Sequence, residues 1–148
     1  MHPYATFFSE IVRLEIDLWN QLDGALKADG HLGVAHLQAL RSIADRAGGA
    51  RVQDVSDDLQ ITVGAASKLV DRLERDGLAV RNAHPFDRRS MVVALTPSGS
   101  ETFHAAAASA AGHVEQMLGD GLSETRATEL AETLSTIRRS LRAEGLAS

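Results

Sequence analysis

Near residue 77 the hydrophobic period of this chain changes from that of a helix to that of a strand, and near Thr96 it changes back. From Arg51 to Leu59, Val52, Val55 and Leu59 recur at helical spacing. Gln60-Ile61 makes a brief turn, and Thr62 then opens a second helix that runs to Asp76, its hydroxyl suited to an N-cap. Ala66, Leu69, Val70 and Leu73 fall on one face of that helix. Gly77 stands where a left-handed C-cap belongs. Leu78 to Arg81 and Met91 to Leu95 alternate as strands do, and Asn82-Ala83-His84-Pro85-Phe86-Asp87 between them is turn chemistry. Two helices joined by a tight turn and followed by a hairpin make a winged helix-turn-helix.

The flanks are helical. Phe7, Ile11, Leu14, Leu18, Leu22, Ala25 and Leu26 mark a long amphipathic helix from about Tyr4 to Ala28. After Gly30 and Gly33 a second helix runs from about Val34 to Ala47, stopped by Gly48-Gly49. Thr96-Pro97 opens a helix towards Leu118, with proline at the first helical position. Gly119 and Gly121 break it, and Ser123 caps a last helix with Leu130, Leu134, Ile137 and Leu141 on one stripe. The expected fold is mainly α with a small β-hairpin and about six helices. It forms a single domain over 1–148, with a winged lobe at 34–96 and helical segments at 1–30 and 97–148. Those segments carry more apolar stripe than one lobe can cover, which predicts a two-fold homodimer.

A chain of 148 residues with 44% hydrophobic residues supports one core. It has no cysteine, which removes disulfides, thiolate metal sites and cysteine redox switches. Met1-His2-Pro3-Tyr4 does not begin a signal peptide, and no apolar run is long enough to span a membrane. A cytoplasmic protein without a membrane role is expected. The pairs His31/His36 and His104/His113 lack the one-turn spacing of a helical metal site, so no metal and no cofactor are expected. The glycine pairs at 48–49 and 119/121 fit no phosphate loop, and no nucleophile–base pair stands out, which argues against an enzyme.

The net charge of −5 opposes nucleic-acid binding, but its distribution does not. Between Thr62 and Thr96 six basic and four acidic residues leave +2, so the rest of the chain carries −7. On the 62–76 helix, Gly64, Ser67, Lys68, Asp71 and Arg75 lie opposite the packed face, with Arg72 at the border. Small residues near its start allow close approach to base edges, Lys68 suits a guanine or a phosphate, and Arg72 suits a phosphate. At the hairpin tip, Asp87 is placed to hold the Arg89 guanidinium by a bidentate pair and aim it at a narrow minor groove.

Leu59 to Glu74 with its Leu69-Val70-Asp71-Arg72-Leu73-Glu74 end, then Gly77-Leu78, Asp87-Arg88-Arg89-Ser90 and Leu95-Thr96-Pro97-Ser98-Gly99, resemble the MarR/SlyA family of bacterial regulators. The resemblance implies a dimer intertwined through its first and last two helices. It also implies sequence-specific binding to a palindromic double-stranded operator, of repressor type, with 62–76 in the major groove and the wing 82–90 at the minor groove. The DNA-binding residues would be Thr62, Gly64, Ala65, Ser67, Lys68, Arg72, Arg75, Arg88 and Arg89, with Asp87 supporting the wing. Gly64, Ala65 and Ala66 are smaller than the residues common there, so base readout rests on fewer side chains. The resemblance further implies a small aromatic or phenolic effector, for which Trp19, His36 and Leu40 are pocket candidates. The competing reading is a helical protein-interaction module that does not bind DNA.

Overall fold

The computed structural model describes residues 2–146. The order is α1 (Pro3–Ala28), α2 (Val34–Ala44), α3 (Val52–Leu59), α4 (Val63–Arg75), β1 (Ala79–Ala83), β2 (Met91–Leu95), α5 (Pro97–Leu118) and α6 (Glu124–Leu146). These elements fall into two compact units, residues 1–113 and 114–148. Among the described residues no helix is long and apolar enough to cross a membrane.

The core of the first unit joins the end of α1 to α2, α3, α4, the hairpin and the first half of α5. Leu26, Leu37, Leu40, Val55, Val70, Leu73 and Val93 are its largest fully enclosed side chains. Each such aliphatic side chain contributes about 1.5–3 kcal/mol relative to exposure. The hairpin is antiparallel, with Ala79 opposite Leu95 and Ala83 opposite Met91. Its register puts Val93 inward against the helices.

The end of α2 departs from the sequence reading. The glycine pair at 48–49 suggests a helix to Ala47, yet α2 stops at Ala44. The Arg46 guanidinium turns back to donate to Asp58 Oδ2 at 2.7 Å and to the Ser42 carbonyl at 2.7 Å. The chain then reaches β2, where Ala50 and Val93 exchange backbone hydrogen bonds of 2.8 and 2.6 Å. Gly49, at φ +89°, permits this approach, because a Cβ there would stand 2.7 Å from the Val93 carbonyl oxygen. The two-stranded hairpin thus gains a third backbone partner from the loop before α3.

Two further junctions set the lobe. Gln60, at φ 53°, ends α3 in the left-handed region, and the Ser56 hydroxyl donates to the Ile61 carbonyl at 2.7 Å. At the start of α5, Thr96 Oγ1 accepts the Gly99 N–H at 3.0 Å and donates to the Gly77 carbonyl at 2.6 Å. Gly99 lets α5 rest directly on the Leu78 backbone.

The remaining helices leave apolar surface open. On α1, Tyr4, Phe7, Phe8, Val12, Leu14, Ile16 and Trp19 are exposed. In the second unit, Leu130, Leu134, Ile137 and Leu141 of α6 are exposed as well.

Candidate nucleic-acid interface

Helix α4 is the better exposed of the two helices of the helix-turn-helix. Its N-cap Thr62 accepts the Ala65 N–H on its hydroxyl at 3.1 Å, so this hydroxyl is engaged locally. Ala66, Val70 and Leu73 are buried, while Gly64, Ala65, Lys68, Arg72 and Arg75 are exposed and Ser67 is half-buried. This is the face expected from the 3.6-residue period. Arg72 lies 3.7 Å from Asp76, a loose surface pair.

The angle between α4 and the hairpin is held by a residue that the sequence reading left out of the site. Arg81 on β1 pairs with Asp71 at 2.9 Å and also with Glu74, both on α4. One guanidinium nitrogen therefore joins the recognition helix to the stem of the wing. The signal was available in the sequence, since Asp71 and Glu74 are three apart on one helix face. Their meeting with Arg81, however, depends on how the strand packs. Asp71 is thus engaged with β1.

The wing tip, residues 84–90, is closed by its own hydrogen bonds. The His84 N–H donates to the Ser90 carbonyl at 2.9 Å, and the Ser90 N–H to the Asp87 carbonyl at 3.0 Å. Asp87 does hold Arg89, but by the backbone. Its carboxylate accepts the Arg89 N–H at 3.0 Å instead of forming the expected pair with the guanidinium. A short aspartate reaches the amide two residues on more readily than it reaches the end of a long side chain. Arg88 and Arg89 are left exposed to solvent.

The three effector-pocket candidates do not line one cavity. His36 lines a cavity of about 370 Å³ with Asp23, Lys27, His31, Leu32 and Arg72. Leu40 is enclosed in the core, and Trp19 is exposed on α1. Desolvation by burial, followed by the nearby Arg72 charge, holds the His36 pKa below its usual value. Asp23 accepts from Lys27 Nζ at 2.7 Å and from the Val34 N–H at 2.9 Å, and these bonds lower its pKa. The cavity wall is therefore polar, with Lys27 answered by Asp23, and one side of it is Arg72 of α4. Among the described residues no group of three or more potential ligands could hold a metal ion.

A buried helix-turn-helix scaffold, an exposed second helix with small and basic residues, and a basic hairpin tip define a winged helix-turn-helix DNA-binding protein. Residues 32–90 match the model of the MarR family. The sequence matches no curated protein. Among solved structures the chain is similar to CouR of Rhodococcus jostii bound to p-coumaroyl-CoA. That match has TM-score 0.75 and 26% identity, and covers 86% of this chain and 87% of that one. It is also similar to a MarR family regulator from a Rhodococcus species, with TM-score 0.82, 23% identity, and 93% and 95% of the two chains covered. Apo MarR of E. coli matches with TM-score 0.75, 22% identity, and coverage of 87% and 94%. Residues 32–90 thus carry the MarR family pattern, and the chain shares its fold with solved MarR family regulators.

Proposed function

We propose that this regulator binds a palindromic double-stranded DNA operator as a homodimer and represses until a small molecule releases it. In this reading α4 enters the major groove, with Gly64, Ala65, Ser67 and Lys68 towards base edges and Arg72 and Arg75 towards phosphates. Arg88 and Arg89 of the wing reach the minor groove. The observation that carries the reading is the Arg81 bridge, because it fixes the exposed face of α4 relative to the basic wing. A reader of two adjacent grooves needs that fixed angle.

The dimer is supported by the exposed apolar residues of α1 and α6, which a two-fold contact would withdraw from water. Within one domain, 34–96 would be the reading lobe, and 1–30 and 97–148 the dimerisation helices. Release by a ligand is supported by the cavity at Asp23, Lys27, His31, His36 and Arg72, where the Arg72 guanidinium suits the carboxylate of a small aromatic acid. The structurally similar CouR is bound to p-coumaroyl-CoA, whose acyl part carries a phenolic ring. A ligand at that wall would act by binding better to a lobe arrangement that cannot span the operator.

Selection of bound sequences from random duplex DNA tests the reading. The expected product is a palindrome whose half-sites lie about 10 base pairs apart, centre to centre. Lys68→Ala should relax preference at one position per half-site by about 1–3 kcal/mol. Recovery of no enriched sequence, with the protein folded and dimeric, would overturn it.

A further inference from the structure

The wing tip presents an aromatic ring that the lobe does not use. Phe86 is 96% exposed, more than any other large apolar side chain among the described residues. Its ring meets His84 edge-on at 6.2 Å, and its backbone N–H donates to His84 Nδ1 at 3.1 Å. The loop hydrogen bonds of His84, Ser90 and Asp87 then fix the backbone on either side of it. Phe86 is thus held outward by a closed turn.

A phenyl ring in water at the end of a hairpin gains free energy only from a surface brought to it. Its immediate neighbours in sequence include Arg88 and Arg89, against the single acidic Asp87. A cationic rim around an apolar tip fits a polyanion with apolar base faces stacked between its charged backbones, which describes duplex DNA. Resting on the DNA-binding reading above, we infer that Phe86 is a wedge that presses on a base step in the minor groove beside Arg89. Apolar side chains inserted at a step partly unstack it and bend the duplex away from the minor groove, while arginine in the same groove answers the phosphate field. The division of labour follows: the arginines supply salt-dependent attraction, and the ring supplies salt-independent affinity and a local bend.

The test uses the full chain and a duplex selected by it, with parent, Phe86→Ala, Phe86→Trp and Arg89→Ala compared by fluorescence anisotropy at several salt concentrations. The bend is read by energy transfer between end labels, and unstacking by 2-aminopurine placed at the flanking step. Phe86→Ala should weaken DNA binding by the dimer about tenfold or more, since base–aromatic contact is lost twice. It should leave the slope of log affinity against log salt unchanged, because no charge is removed. Arg89→Ala should lower that slope by about two. Phe86→Ala should also return the duplex to its free bend and the 2-aminopurine to its quenched state, whereas Phe86→Trp should retain both signals. The ring touches little of the protein, so the melting temperature should not move. Parental binding and bending by Phe86→Ala would overturn the wedge, and the Arg89→Ala result would then show that DNA binding itself stands. Weaker binding with an unchanged bend and unchanged 2-aminopurine would also overturn it. Failure of the parent to bind any duplex would remove both readings.

Discussion

Replacing Gly99 by alanine should destabilise this protein, although the same change elsewhere on the same helix should stabilise it. Gly99 lies in the first turn of α5, and a Cβ there would stand 1.8 Å from the Leu78 carbonyl oxygen and 2.8 Å from its carbon. An ordinary carbon–oxygen contact is about 3.3 Å, so a gap of roughly 1.5 Å must be opened between two backbones. Neither can yield easily. The Leu78 carbonyl already accepts the Thr96 N–H at 3.1 Å, and Thr96 in turn holds Gly77 and Gly99. Moving α5 outward would also loosen Phe103, Ala106 and Ala110, which it buries in the core. Overpacking of this kind costs about 3 kcal/mol. The helical preference of alanine over glycine offsets about 1 kcal/mol, leaving a net loss of about 2 kcal/mol. Gly112 is the control. It lies on the same helix with nothing within 4 Å of the position of its Cβ, so Gly112→Ala should gain up to about 1 kcal/mol. Urea unfolding of both variants at one protomer concentration measures the difference, with concentration fixed because a dimer's stability depends on it. If Gly99→Ala proves as stable as Gly112→Ala, the contact between α5 and Leu78 is not the constraint argued here.

Arg81→Met keeps the aliphatic stem but leaves Asp71 and Glu74 unpaired on the DNA-facing helix. It should cost about 1 kcal/mol of stability and weaken specific DNA binding severalfold, as read by melting and anisotropy together. Unchanged affinity would show that the bridge does not set the angle of α4. His36 is held neutral in the folded state by burial and by Arg72, whereas in the unfolded chain it is free to protonate. Its folded pKa lies below its unfolded one, so stability is lost as pH falls below about 6.5, and His36→Gln should flatten that part of the denaturation profile. Sedimentation should find a dimer at micromolar concentration, since a folded monomer there would leave the apolar faces of α1 and α6 without a partner.

The local rules of the chain were strong enough to be read in sequence. Thr62, Gly77 and the Thr96-Pro97 pair mark element ends that the structure reproduces to within a residue or two. The faces of α4 follow from its period, because which side of a helix is buried depends on residues only three or four apart. The exposed face of α4 is legible for the same reason, as is the basic character of the hairpin tip. Other features depend on residues far apart in the chain, and no periodicity carries them. The early end of α2 depends on Asp58 capturing Arg46 and on Val93 receiving Ala50. Arg81 reads as one more outward strand residue until β1 is laid beside α4. Asp87 could serve a guanidinium or an amide, and the closed wing loop selects the amide. His36 and Leu40 are four apart and equally plausible as pocket residues, yet packing seals Leu40 in the core and leaves His36 on a polar cavity. Sequence alone settled what each segment becomes, since that is a matter of near neighbours. The tertiary structure settled which groups meet, since a charge or a ring finds its partner only when distant segments are packed together.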